Sequence, residues 1–354
     1  MSELVRPELL SLAPVVHGSV ALEELRHYGL SGADVVDFSV NTNPLGPARC
    51  VLEALADTNW SRYPGDDEAP LRRQLAGLNH VSEHQVVLGN GSVDLMWWTL
   101  LAVIRPGDGV AVAEQTFGEY ARAARSVGAH VVDLQQAAAA RVVFVCQPNN
   151  PTGEYSPRDD IEALLSQNPE RLVVLDEAYA AFVDHRWPAE RLLDQHPNLA
   201  ILRSMTKDHA LPGLRLGYLL ASAEVARAVG AVRPPWSVNA GALRAGLAAL
   251  QPEAQHHVER ARAVVVESRA YLTDGLRRLG FRVKPSAANF ILVEVSSGDA
   301  AAFRRALLPL GMVVRDCASF GLPSCVRIAC RLPSECERLL AAIEEVAGVD
   351  VVAH

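Results

Sequence analysis

The sequence predicts an α/β fold with a large domain on a mainly parallel sheet and a smaller α+β domain behind it. Two observations carry that expectation. Short, continuous apolar runs alternate with helix-length segments over the first two thirds of the chain, and that rhythm then gives way to one long amphipathic stretch followed by mixed strands and helices.

The apolar runs are Val86–Leu88, Val110–Ala113, Val142–Cys146, Leu172–Leu175, Leu199–Leu202 and Leu216–Leu220. They are continuous where a half-exposed strand would alternate, so both faces of the sheet are expected to be covered by helices. Residues 37–235 form the expected large domain, and residues 1–36 an N-terminal arm. Arg233-Pro234-Pro235-Trp236 breaks the pattern. After it, about 252–279 places Val258, Ala261, Val265, Leu272, Leu276 and Leu279 near a 3.6-residue period, with Glu259, Arg262 and Arg269 left to water. This helix is expected to join the two domains. The small domain, 236–354, then has strand candidates at Phe281–Lys284, Phe290–Val295, Met312–Arg315 and Val326–Cys330, with helices near Ala300–Leu308 and Ser334–Val346.

Composition narrows the function. The 354 residues carry a formal charge of −8 with a pI near 5.8, which argues against an electrostatic grip on nucleic acid and for a small-molecule partner. Six cysteines without a C-x-x-C pair signal neither a zinc site nor a disulfide framework, and no metal is expected. No run approaches the roughly 18 apolar residues of a membrane span, and Met1–Val16 lacks a basic region before an apolar one. A cytoplasmic protein that does not engage a membrane is expected.

Four motifs carry chemistry. In Ser204-Met205-Thr206-Lys207 a lysine follows small hydroxyl residues at the end of an apolar strand, where open α/β sheets place ligands. A lone lysine is more often a surface residue, so the other three motifs decide its meaning. Asp176, in Leu175-Asp176-Glu177-Ala178-Tyr179, ends a buried strand, where a carboxylate serves either as a helix N-cap or as the partner of a protonated pyridine nitrogen. Gln147-Pro148-Asn149-Asn150-Pro151-Thr152-Gly153 reads as a plain turn or as a rigid loop offering an amide to a cofactor oxygen or a carboxylate. Gly89-Asn90-Gly91-Ser92-Val93-Asp94 turns from a strand into a helix and leaves amide N–H groups free for a phosphate. Ser204, Thr206 and Arg215, the last in Pro212-Gly213-Leu214-Arg215-Leu216-Gly217-Tyr218, complete that cup.

The joint order of Gly91-Ser92, Asn150, Asp176, Tyr179, Lys207 and Arg215 resembles the fold-type I enzymes of pyridoxal 5′-phosphate (PLP), the aspartate aminotransferase superfamily, over nearly the whole chain. The resemblance implies a seven-stranded type of sheet, PLP as cofactor and Lys207 as its Schiff-base lysine. It further implies that Asp176 pairs with the pyridinium, that Asn150 and Tyr179 bond the ring's phenolic oxygen, and that Phe117 in Glu114-Gln115-Thr116-Phe117 stacks on the ring unless it only packs. A regulator or inactive binder of this fold is disfavoured by the intact Lys207, Asp176 and Arg215.

Within the superfamily, Asp37-Phe38-Ser39-Val40-Asn41-Thr42-Asn43-Pro44-Leu45-Gly46-Pro47 and Arg62-Tyr63-Pro64 resemble the branch of histidinol-phosphate aminotransferase and threonine-phosphate decarboxylase. That branch implies a homodimer with shared sites, in which Tyr63 reaches the neighbouring subunit's cofactor phosphate, and a phosphorylated substrate. Arg315, Arg327 and Arg331 are the candidates for its anionic groups, with a surface salt bridge the competing reading for Arg331. Arg315-Asp316-Cys317 and His17-Gly18-Ser19 look closer to the decarboxylase, with His17 a substrate contact, although Ser19 stands where that family has a second glycine. The expected function is therefore a threonine-phosphate decarboxylase-like lyase of cobalamin synthesis, with a histidinol-phosphate-type aminotransferase as the alternative.

Overall fold

The computed structural model describes residues 4–65 and 67–352. The first strand, β1 (Val36–Asp37), runs parallel to a segment near the other end of the chain. Seven strands then form the central sheet: β2 (Val86–Gly89), β3 (Gly109–Val112), β4 (His130–Asp133), β5 (Val142–Cys146), β6 (Leu172–Asp176), β7 (Leu199–Ser204) and β8 (Gly217–Ala221). Their spatial order is β2-β8-β7-β6-β5-β3-β4. β3 to β7 are mutually parallel, and β8 is antiparallel to both of its neighbours.

Alternate residues of the inner strands feed opposite faces. Val173, Leu175, Leu199 and Ile201 pack into one core with Leu71, Leu75, Leu165 and Leu243, while Val174, Ala200 and Leu202 join a second with Leu95, Met96, Tyr120 and Val229. Both faces of these strands are buried among apolar side chains, which is why the sequence reads as unbroken apolar runs. All six of those runs became strands. The seventh, β4, escaped notice because it lies on an edge and its residues are partly or fully exposed, so His130 and Asp133 interrupt the apolar pattern.

Five further strands make a second, antiparallel sheet or pair with β1. β9 (Arg282–Val283), β10 (Phe290–Glu294), β12 (Arg315–Cys317) and β13 (Leu322–Ala329) are ordered β12-β13-β10-β9, whereas β11 (Met312–Val313) pairs with β1. The single strand expected over Met312–Arg315 is thus divided between two sheets. Gly311, at φ +72°, turns the chain into β11, and a Cβ there would stand 2.6 Å from the Asp34 carbonyl oxygen.

The 27-residue helix Pro252–Arg278 supplies Ala254 to the first core of the large sheet, and Leu272 and Leu276 to the core beneath the small sheet. Leu25 of the N-terminal segment packs with Leu308 and Val313. All six cysteines are free thiols. No helix among the described residues is long and apolar enough to cross a membrane.

At the end of β8, Gly217 faces Ser204 of β7 and touches the start of the helix Ser92–Val103. A Cβ here would lie 2.6 Å from the Ser92 amide nitrogen and 2.8 Å from the Arg203 carbonyl oxygen, both backbone atoms that cannot step aside. Gly217→Ala should therefore destabilise the cofactor-free chain by about 2–3 kcal/mol, measured by denaturant unfolding. An unchanged midpoint would mean that the strand and helix are not so tightly apposed.

Candidate active site

β5, β6 and β7 present their carboxyl ends side by side, with Cys146 in register with Asp176 and Asp176 with Leu202. The loops leaving these ends, the start of the helix Ser92–Val103 and the arm near His17 surround a cavity of about 210 Å³. Of the residues singled out from sequence, His17, Ser92, Val93, Phe117, Asp176, Tyr179, Ser204, Thr206, Lys207, Arg215 and Arg327 line it.

Lys207 is held from outside its own motif. The Asn43 amide N–H donates to the Lys207 carbonyl oxygen at 2.8 Å, and its side-chain Nδ2 donates to that of Asp208 at 2.8 Å. The early Asn41-Thr42-Asn43 stretch thus fixes the lysine loop from 164 residues away (207 minus 43). Burial pushes the Lys207 ammonium down to about 8, and the charges of Arg327 and Arg215 act in the same direction, while Asp176 opposes them.

Asp176 is buried at the end of β6. One carboxylate oxygen accepts the Ala178 amide at 3.1 Å and the other accepts the Tyr120 hydroxyl at 2.6 Å. Burial raises its pKa, and these two hydrogen bonds work against that rise. Tyr179 stands edge-on to Phe290 with ring centroids 5.1 Å apart, and burial pushes its hydroxyl up to about 12, so it is a donor at neutral pH.

The cup expected from the sequence has three parts. Gly91, at φ +85°, is the N-cap of the helix Ser92–Val103 and provides no side-chain cap, leaving the first amides of the helix unpaired by it. A Cβ on Gly91 would lie 2.5 Å from Arg215 Nη2, so glycine is what lets the guanidinium close over the helix end. Ser204 Oγ and Thr206 Oγ1 lie 2.7 Å apart on the other side. Arg215 donates to the Pro212 carbonyl oxygen at 3.2 Å and has no carboxylate within ion-pair distance among the described residues.

Arg327 is buried in the wall, where it donates to the Asn150 side-chain oxygen and the Ser39 carbonyl oxygen and stands 5.4 Å over the Phe290 ring. Swapping the Asn41 amide lets its oxygen accept from Arg327 as well. Asn150 does not line the cavity itself; its oxygen is engaged by Arg327, which leaves its NH2 group to donate. The loop around it has cis peptides before Pro148 and Pro151.

Besides Gly91 and Asn150, which stand just behind its lining, three expected residues are not in this cavity. Arg331 is a correction: it forms a two-pronged pair with Glu335 one helical turn on, at 3.1 Å, and contacts the Asp37 carbonyl oxygen, so its guanidinium is spent on capping the C-terminal helix. Arg315 is buried and donates to the Val16 carbonyl oxygen at 3.0 Å and Ser319 Oγ at 2.7 Å, tying down the arm that carries His17. Tyr63 is 78% exposed and stacks on Trp236 at 4.5 Å, away from the cavity of its own chain. Sequence reading missed Gly18, Ser39, Asn41, Tyr120 and Cys146, all of which line the cavity.

The comparisons with known proteins agree with this geometry. The family model described as aminotransferase class I and II matches residues 33–343, and the chain belongs to that family. Histidinol-phosphate aminotransferase 1 of Thiobacillus denitrificans is 37% identical over 96% of this chain and 92% of its own; histidinol-phosphate aminotransferase 2 of Pseudomonas aeruginosa is 37% identical over 98% of each. Among solved structures, the histidinol-phosphate aminotransferase of Sinorhizobium meliloti in complex with pyridoxal-5′-phosphate shares the fold, with a TM-score of 0.86 over 99% of both chains at 24% identity. L-threonine-O-3-phosphate decarboxylase of Porphyromonas gingivalis gives a TM-score of 0.80 at 27% identity, covering 87% of this chain and 98% of that one. The chain is a fold-type I, PLP-dependent enzyme. Its donor set suits that cofactor: a lysine able to be neutral near pH 8, a buried carboxylate, and an uncapped helix end beside an arginine kept close by Gly91.

The lysine's depressed pKa carries a stability cost. In the cofactor-free chain the folded state disfavours the ammonium, so the cost is complete below about pH 8 and fades as pH rises toward the ordinary lysine value. Cofactor-free Lys207→Met should therefore be more stable than its parent at pH 7 by about 2 kcal/mol, and the gap should close above about pH 10. A gap that is absent at pH 7, or that grows with pH, would contradict a buried ammonium.

Proposed function

We propose that the chain is an aminotransferase of the histidinol-phosphate type, working on an anionic, phosphate-bearing amine as a cytoplasmic homodimer. The observation that carries the reading is Arg327, a buried guanidinium on the cavity wall whose hydrogen bonds all go to neutral oxygens. A cation held there without a counter-charge costs several kcal/mol, and an anionic substrate group would offset that cost. The reading of amino transfer is supported by the family and by curated relatives of that name at 37% identity. Decarboxylation of a phosphorylated threonine, expected first from the C-terminal motifs, becomes the second reading, favoured by the 27% identity to the P. gingivalis decarboxylase.

In this proposal Lys207 anchors PLP, Asp176 faces the pyridine nitrogen, and Asn150 and Tyr179 donate to the phenolic oxygen. Phe117 covers the ring. The Ser92 and Val93 amides, Gly91, Ser204, Thr206 and Arg215 hold the phosphate. Bound PLP supplies an electron sink for one bond at the substrate's α-carbon. Arg327 grips the substrate's carboxylate or phosphate, and His17, at the mouth of the cavity, contacts the far end. Lys207, poised near neutrality, moves the proton at the α-carbon in amino transfer. In decarboxylation that proton stays in place, and the carboxylate takes the reactive position instead.

One preparation separates the two readings. With histidinol phosphate and 2-oxoglutarate the enzyme should form glutamate without CO2; CO2 release from O-phospho-L-threonine, with no glutamate formed, would overturn the proposal in favour of the lyase. Because a hydrogen bond to a charged group contributes about 1.5–3 kcal/mol, Arg327→Ala should lower kcat/KM by at least about tenfold.

The exposed Tyr63 supports a shared site, since its side chain is free to reach a second subunit. Mixing inactive Lys207→Ala and impaired Tyr63→Phe chains should restore part of the activity. An active monomer in sedimentation would exclude that arrangement.

A further inference from the structure

Tyr120 belongs to none of the four motifs, yet it touches two parts of the site. Its ring is fully buried, lies parallel to Phe144 with centroids 4.7 Å apart and a 7° interplanar angle, and meets Phe117 edge-on at 5.5 Å. Its hydroxyl donates to Asp176 Oδ2 at 2.6 Å, 56 residues away in sequence. The helix Glu119–Ser126 that carries it is anchored in the second core by Ala123 and Ala124. The ring therefore has little freedom to turn, and the hydroxyl is fixed with respect to the carboxylate.

We propose that Tyr120 is a positioning residue that holds Asp176 as an oriented carboxylate and thereby sets the strength of its pairing with the protonated pyridine nitrogen of the cofactor. Three features support this. First, the Asp176 carboxylate has one oxygen on a backbone amide and the other on Tyr120, the one side chain among the described residues that orients it by a hydrogen bond. Second, burial drives Asp176 toward its neutral form, and the Tyr120 hydrogen bond is the largest influence opposing that drift, ahead of the Ala178 amide and of Lys207. Third, the same ring braces Phe117, so a single side chain fixes the carboxylate and the candidate stacking ring relative to each other. Cys146 lines the same corner, but its Sγ is directed at the Pro148 carbonyl oxygen rather than at the carboxylate. The inference rests on use of PLP and holds whichever reaction follows.

The test compares two cofactors on stripped full-length protein: PLP, and its 1-deaza analogue, in which carbon replaces the ring nitrogen. Tyr120→Phe keeps the ring stack and removes only the hydroxyl. It should weaken PLP binding by about tenfold, the effect expected for one hydrogen bond to a charged group, while changing affinity for the deaza analogue by less than about twofold. Phe144→Leu, which loosens the stack but keeps the hydroxyl, should alter both affinities in the same proportion. Equal losses for the two cofactors in Tyr120→Phe, or no loss for either, would overturn the proposal by making Tyr120 a packing residue alone. Should Tyr120→Phe fail to fold, the ratio of the two affinities in Tyr120→Leu, which has no donor and is no larger than the original ring, decides the question: a ratio shifted against PLP supports the role, and an unchanged ratio refutes it.

Discussion

Charge kept out of water is the constraint on which the site depends. Asp176, Lys207 and Arg327 are enclosed by one small cavity at the carboxyl ends of three parallel strands, and the only acid among them is opposed by two cations. In such surroundings an ionised group survives only with a partner or at a shifted pKa. Lys207 takes the second course and titrates near 8. Asp176 takes the first, through Tyr120 and Ala178. Arg327 relies on neutral oxygens and a ring face, which leaves it the group with most to gain from an arriving anion.

That arrangement explains why the scaffold is so rigid around it. β6 is buried along its whole length, so Asp176 cannot retreat toward solvent. The lysine loop is fixed by Asn43, the helix end by the close approach of Gly217, and the arm bearing His17 by Arg315. Each of these contacts joins segments distant in sequence. Glu177, next to Asp176, is engaged by Arg203 and Arg186, which keeps a second buried carboxylate from adding an uncompensated charge beside the first.

The local part of this design was legible in the chain. Lys207, Asp176, Ser92 and Thr206 sit at ends of apolar runs, and a strand end places a side chain in an α/β ligand site without help from elsewhere. Tyr120 and Asn43 were not legible as site residues because their contacts span 56 and roughly 164 residues, and nothing local distinguishes a tyrosine that reaches a carboxylate from one that packs. For Arg331 the surface salt bridge weighed from sequence is the reading the structure shows: Glu335, four residues on in the first turn of the C-terminal helix, takes its guanidinium. The division of Met312–Arg315 between two sheets depended on β1 arriving from the far end of the chain, which no window around those residues contains.

The register of the small sheet adds a last step. Arg315 and Arg327 are direct partners on the antiparallel strands β12 and β13, a placement in which like charges repel. The structure relieves half of that repulsion by giving Arg315 an ion pair with Asp316 and turning it toward Val16 and Ser319. Arg327 receives no such relief, since its neighbours are Asn150, Ser39 and Phe290. Were the pair merely structural, the same economy at Arg327 would be expected, because an uncompensated buried cation is costly to the fold. The asymmetry is consistent with the anion-binding role proposed for Arg327, while Arg315 secures the arm above it.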